Sequence, residues 1–371
     1  MPKNPLRRIL GKKVVLNKKM TFEDLGYNSE LEDYRKEQNL DSFGVGRVIL
    51  EHRDRYTVKT ESNEFDCELI GNLRFTVNDK NELPCVGDWV AISEYDEGKA
   101  MIHAVLPRSS ILERKAIGKL GQTQIIAANI DFGLIIQSVN RDFNINRLER
   151  YLTICNASKI GPIIVLSKID LIEDSELKEL LTQVRKRIKN VPIISISNQS
   201  KVGINKINSM LIRGKTYCLL GSSGVGKSTL INTIIGTKLV KTGTISESID
   251  RGKHVTTHRE LIVFEKGVLI DNPGMREVGI TDASDGFEMT FDDILNLAED
   301  CKYVDCTHTS EDGCAVLAAL ENNDLNPESY ENFLKMEKER LHFESTAQER
   351  KKKGKDLGKL IKNMKKSNNK Y

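Results

Sequence analysis

The sequence predicts a multi-domain chain: an OB-like β-barrel, then an α/β domain with helices on both faces of a mostly parallel sheet, then a small helical module built around metal ligands. Three observations carry this. Short runs rich in Val, Ile, Tyr and Phe begin at Gly44, apolar strands alternate with amphipathic helices from Asp131, and three Cys and one His crowd into fourteen positions after Asp300. A length of 371 residues suits two or three cores at roughly 100 to 200 residues per domain. A composition of 39% hydrophobic and 29% charged residues excludes collagenous, low-complexity and fully disordered classes. No apolar run approaches the roughly 18 to 20 residues of a membrane span. The basic N-terminus has Val14 to Leu16 as its longest uninterrupted apolar run, too short for a secretory core. A cytoplasmic monomer with no membrane partner is expected, its seven cysteines held as thiols or metal ligands.

Residues 1–40 are polar and charge-dense, with one helix-like stretch at Glu30 to Gln38, and read as an extension. Residues 41–107 hold GRVILEHRDRYTVKT, DCELIGNLRFTV and DWVAISEY, about five short strands between turn residues. A small closed barrel of the OB type fits them, an architecture that often grips nucleic acid. Residues 108–125 read as a linker. Over 126–282 strand-like runs at Asp131–Ser138, Pro162–Leu166, Val191–Ile196, Thr216–Leu220 and Gly267–Ile270 alternate with helical stretches at Asn146–Ala157, Ser175–Ile188 and Lys227–Ile235. Ligands of such a sheet sit at the carboxyl ends of its strands. Residues 283–346 form the helical module with the Cys/His cluster, and 347–371 a lysine-rich tail. The net charge of +3 hides an asymmetry: the first nineteen residues carry +7, residues 350–371 carry +9, and the remainder carries −13. Basic ends of this kind release counterions from phosphate backbones, so rRNA is an expected partner, a solvated tail being the plain alternative.

The strongest motif is GSSGVGKS, which follows the strand TYCLL and opens a helix. Backbone amides of Gly221, Ser222, Ser223, Gly224, Val225 and Gly226 can wrap phosphates, Lys227 can reach the β- and γ-phosphoryl oxygens, Ser228 can ligate Mg²⁺, and Thr229 completes the binding run. The base is chosen elsewhere. Ser167, Lys168 and Asp170 follow the strand PIIVL, where Asp170 can accept from guanine N1–H and the exocyclic amine, and the Lys168 stem can lie on the base. This is the Asn-Lys-X-Asp motif with Ser167 in place of Asn, and the shorter hydroxyl is expected to bridge less well to the phosphate loop. Ser197 and Asn198 end the next strand, where an amide meets guanine O6.

Asp271 to Gly274 match DxxG, with Asp271 holding Mg²⁺ through water and the Gly274 amide sensing the γ-phosphate. Thr257 is the favoured switch threonine for Mg²⁺, Thr256 its neighbour, and an ordinary strand start the plain alternative. Met275 stands where many GTPases carry a water-orienting Gln, so slow intrinsic hydrolysis is expected. His254 is the local candidate to orient water, with His258 behind it and a solvent-facing loop histidine as the alternative. In chain order these elements run base, phosphate loop, switch, DxxG, a circular permutation of the usual order. Cys301-x₄-Cys306-x-His308-x₅-Cys314 then supplies four ligands for one tetrahedral structural Zn²⁺. Cys67, Cys85, Cys155 and Cys218 have no such spacing and are expected in cores.

Together GSSGVGKS, GKHVTTHRE, DNPGMRE and the Cys/His knuckle resemble the RsgA (YjeQ) family of small-subunit-dependent GTPases, over roughly residues 42–345. The resemblance implies an OB domain, a permuted GTPase domain and a zinc domain. It also implies late maturation of the small ribosomal subunit, rRNA binding, and GTP hydrolysis to GDP stimulated by that particle. A GTP-dependent factor acting on another RNA or ribonucleoprotein is the alternative. Ser167 and Val255 depart from the family pattern.

Overall fold

The computed structural model describes residues 20–52, 55–71, 80–115, 123–140, 143–236, 260–271 and 284–341. Five strands come first: β1 (Gly44–His52), β2 (Arg55–Lys59), β3 (Glu64–Leu69), β4 (Trp89–Asp96) and β5 (Lys99–Val105). They pair in the ring β1-β2-β3-β5-β4-β1, closed by the antiparallel β1–β4 ladder, with β3 and β5 parallel. Alternate residues of each strand point inward, so Val48, Tyr56, Val58, Phe65, Val90 and Ile102 fill one small core. This is the expected barrel.

The expected extension is partly structured. Helix α1 (Ser29–Glu37) starts at Asn28, whose side chain accepts from the Leu31 amide at 3.0 Å, satisfying one of the free amides of the first turn. Leu25 and Leu31 pack with Val45, Trp89, Ala91 and Leu106 on the outside of the barrel, and Tyr27 meets the Trp89 ring edge-on at 4.9 Å. Residues 20–43 thus form a strap across the barrel. Beneath it lies Arg47, 1% exposed. Its guanidinium donates to the carbonyls of Leu25, Gly87 (3.0 Å) and Asn129 (2.8 Å) and to the Thr216 hydroxyl (2.8 Å). Burial pulls its pKa down to about 10, opposed by the charges of Asp131 and Asp88, so it stays charged at neutral pH. The segment expected as a linker also has structure: β6 (Ile111–Lys115) and β7 (Thr123–Ala128) pair antiparallel, with Leu112 and Ala127 fully buried.

The α/β domain is built on β8 (Phe132–Ser138), β9 (Gly161–Ser167), β10 (Ile193–Ser195), β11 (Thr216–Leu220), β12 (Glu260–Phe264) and β13 (Gly267–Asp271). Their order is β10-β9-β8-β11-β13-β12, parallel except for β12. Continuous apolar runs suit strands covered on both faces. One face carries α2 (Ile145–Ala157) and α3 (Asp174–Arg187), through Leu148, Leu152, Cys155 and Val184. The other carries α4 (Ile204–Met210) and α5 (Lys227–Ile235), through Ile204, Ile207, Leu230 and Ile234. Edge strand β12 pairs with β1 at Glu260 and Leu50, which joins sheet and barrel.

The C-terminal module comprises α6 (Ser284–Thr290), α7 (Asp292–Ala298), α8 (Ala315–Glu321) and a last helix, α9, over 327–341. Phe287, Phe291, Ile294, Val316, Phe333 and Met336 form its core. It docks on α2: Thr290 accepts from Asn156 and meets Thr153, and Arg150 makes two bonds to Glu339 at 3.0 and 2.7 Å. At the same junction Arg187 grips Glu149 at 2.9 and 2.6 Å, and Asn332 donates to Glu149 at 2.5 Å. Among the described residues no helix is long and apolar enough to cross a membrane.

Candidate functional site: a nucleotide edge and a metal knuckle

The strands deliver the predicted residues to one edge. Ser167 closes β9, fully buried, and its hydroxyl donates to the Val225 carbonyl of the phosphate loop at 2.7 Å. The expectation of poor bridging is not met in this geometry, because the loop approaches β9 closely enough for a short side chain. Lys168 adopts a left-handed backbone, φ 61°, which turns the chain into the short helix Ile169–Leu171 and leaves Asp170 exposed beside the edge. After β10, the buried Ser197 hydroxyl accepts from the amides of Gln199 (3.2 Å) and Ser200 (3.0 Å), which tightens that loop.

The phosphate loop leaves β11 with Gly221 at φ 145°, where a Cβ would sit 2.1 Å from the Ile136 carbonyl oxygen. Only glycine fits so close a strand crossing. Helix α5 opens at Gly226 without a side-chain cap, so its first amides remain available to an anion. Val225 anchors the loop in the core. Lys227 folds back, Nζ donating to the Gly221 (2.7 Å) and Ser222 (2.6 Å) carbonyls. Ser222 also shares a side-chain hydrogen bond with Tyr151, whose hydroxyl pKa is raised by burial. Asp271 ends β13, next to β11. Burial pushes its carboxyl above the usual range and the charge of Lys227 pulls it back. Glu260, its partner across β12 and β13, is likewise pushed up by its surroundings and then by Asp271, although its side chain keeps contact with solvent. Ser228, Asp271 and Glu260 offer only hard oxygen donors in a region short of positive charge, which suits Mg²⁺. His254, Thr256, Thr257, His258, Gly274 and Met275 lie outside the described residues.

In the C-terminal module the ligand atoms of Cys301, Cys306, His308 and Cys314 all lie within 4.8 Å of one another. Cys301 Sγ to Cys314 Sγ is 3.8 Å, and His308 Nδ1 is 3.5 and 3.6 Å from these two sulfurs. A zinc tetrahedron with Zn–S near 2.3 Å has S–S edges of about 3.8 Å, so the residues fit the metal. Tyr330 donates to the His308 carbonyl at 2.6 Å. Glu311 accepts from the amides of Thr307, Thr309 and Ser310 and from the Thr307 hydroxyl, which holds its carboxyl far below the usual range. The knuckle is therefore closed from outside the ligand set as well.

The sequence model of the RsgA GTPase family matches residues 105–281. A Listeria monocytogenes protein named small ribosomal subunit biogenesis GTPase RsgA 2 is 44% identical over 323 residues, 86% of this chain and 89% of that protein. The chain belongs to the RsgA GTPase family. An RsgA 2 of Vibrio parahaemolyticus is 35% identical over 362 residues, 97% of this chain and 93% of that one. Two solved structures share the fold: YjeQ from Thermotoga maritima, 25% identical with TM-score 0.59, covering 79% of this chain and 96% of that one, and YloQ, a circularly permuted GTPase, 26% identical with TM-score 0.60, covering 81% and 96%.

Within this RsgA chain, three contacts at the site escaped the sequence reading. Asn198 Nδ2 donates to the Gly226 carbonyl at 3.3 Å, Tyr151 reaches Ser222, and Glu260 faces Asp271. No local pattern announces them, since each joins segments far apart in the chain.

Proposed function

We propose that this chain is a GTP hydrolase serving as a late assembly factor of the small ribosomal subunit, binding its rRNA and hydrolysing GTP to GDP faster when docked there. The observation that carries the reading is the common edge: Ser167 and Asp170, Ser197, the phosphate loop and Asp271 leave four strands of one sheet at their carboxyl ends. The names of the relatives supply the particle. In this reading the loop amides from Gly221 to Thr229 and Lys227 hold the phosphates. Asp170 with Lys168 reads guanine, and the Ser197–Asn198 turn faces its O6 side. Ser228, Thr257 and, through water, Asp271 hold Mg²⁺, which when bound with GTP neutralises charge on the β- and γ-phosphoryl oxygens. Thr257 and Gly274 contact the γ-phosphate side and His254 orients water. One structural Zn²⁺ sits on Cys301, Cys306, His308 and Cys314. The division into barrel, permuted GTPase domain (126–282), zinc domain (283–346) and tail is retained, with residues 20–40 assigned to the barrel. A cytoplasmic monomer meeting rRNA through its basic ends completes the proposal.

The test is GTP turnover with and without purified small subunits, alongside co-sedimentation with small and large subunits. Turnover raised at least tenfold by small subunits, with co-sedimentation stronger in a GTP analogue than in GDP, is the expected result. Equal turnover in both conditions, or preferential pelleting with large subunits, overturns it.

A further inference from the structure

Two consecutive carbonyls of the phosphate loop are held by side chains from two different loops. Val225 O accepts from Ser167 at the end of β9, and Gly226 O accepts from Asn198 after β10. Gly226 O is also the first acceptor of α5, from the Leu230 amide at 2.9 Å, so Asn198 acts on the turn that aims the helix amides at an anion. Contact there is tight. Gly226 has φ 99°, and a Cβ on it would lie 3.0 Å from Asn198 Nδ2. With Nδ2 committed to Gly226, Asn198 Oδ1 is left buried and without a hydrogen-bond partner among the described residues. An orphaned acceptor of this kind has a cost and persists only where the donor side of the same amide is useful.

We infer that Asn198 is a positioning residue for the phosphate loop: together with Ser167 it divides between two side chains the bridging that a single Asn performs in the usual base-reading motif. Ser167 is too short to reach beyond Val225. Asn198, one strand further out, takes the next carbonyl. The pair holds the Val225–Gly226 peptide from two sides, so the amides that follow face the phosphates before nucleotide arrives. Such preorganisation raises affinity for any nucleotide that fits the loop and leaves base selection to Asp170. The inference rests on the nucleotide-site reading above.

The experiment measures the dissociation constants of fluorescent GDP and of the matching 2-aminopurine riboside diphosphate, which keeps the exocyclic amine and lacks O6. Asn198→Ala should weaken both by the same factor, roughly five- to tenfold. Asn198→Asp, which sets a carboxylate against the Gly226 carbonyl, should weaken both more than Ala does. Because each bridge backs up the other, Ser167→Ala with Asn198→Ala should lose more than the product of the single losses. Equal thermal melts and zinc content across the variants keep folding out of the comparison, and Asp170→Asn serves as the base-reading control. If Asn198→Ala lowers GDP affinity but spares the analogue, Asn198 reads the base and the inference falls. Unchanged affinity for both, or Asn198→Asp milder than Ala, also overturns it. Absence of GDP binding by the unaltered protein would instead sink the nucleotide-site reading itself.

Discussion

The two junctions that flank the GTPase domain both bury an arginine, and they satisfy it in opposite ways. On the barrel side Arg47 is surrounded by neutral acceptors, three carbonyls and a hydroxyl drawn from four separate segments, with its counter-charges Asp88 and Asp131 acting without direct bonds. On the zinc side Arg187 and Glu149, 3% and 2% exposed, form a direct ion pair. There burial raises the Glu149 pKa despite the pull of Arg187 and of Asn332. The difference is one of repair. A paired charge can be replaced together with its partner, whereas a cation bonded to main-chain carbonyls has no partner to replace.

Removing zinc should break the comparison most strongly. Structural zinc contributes on the order of 10 kcal/mol to the folding of small modules. Chelation should therefore abolish hydrogen-exchange protection in α6 to α9 and along the docking face of α2, while Leu25, Arg47 and the barrel ladders keep theirs. Loss of protection on both sides at once would show that the junctions are a single unit.

Arg187→Ala leaves Glu149 buried without its cation and should cost about 3–5 kcal/mol in denaturant unfolding. The pair Glu149→Leu with Arg187→Met should recover most of that. Arg47→Met should cost roughly 3 kcal/mol through its orphaned acceptors, and no second side-chain change should restore it. A rescuing replacement near Arg47, or none for Arg187, would reverse the distinction.

The smallest effect concerns the edge between the junctions. Asp271 has a carboxyl raised above its ordinary value of 3.8. Protons thus compete with Mg²⁺ over a window that begins at that value and extends upward, and Mg²⁺-dependent nucleotide affinity should climb with pH through the window and then level off. Asp271→Asn should flatten the climb, as titration of GDP binding at several pH values with and without Mg²⁺ can check.

Where the chemistry is local, the sequence is legible. GSSGVGKS can be read because the strand, the glycines and the uncapped helix are contiguous, and the knuckle because its four ligands fall within one short loop and helix start. The strands β8, β9, β11 and β13 announce themselves through continuous apolar runs that only a doubly covered sheet can bury. The strap over residues 20–43 is different, since its apolar residues are sparse and their partners Trp89 and Leu106 lie far along the chain. The β6–β7 ribbon was taken for a linker because each strand is five or six residues long and carries charge. Ser167 looked like a weakened motif because reach was judged from side-chain length alone. How near the phosphate loop comes is set by Gly221 and the packing of Val225, which no one-dimensional pattern displays.

One rung of the sheet gives the molecule a lever. Glu260 stands immediately after the Gly252–Arg259 segment, opposite Asp271 in one ladder and opposite Leu50 in the other. Strands β2, β3 and β5 hang from β1 beyond that rung. A small rotation of β12 therefore swings the outer wall of the barrel through an arc that grows with each strand crossed, and a change the size of one phosphoryl group can be read as a change of posture far from it.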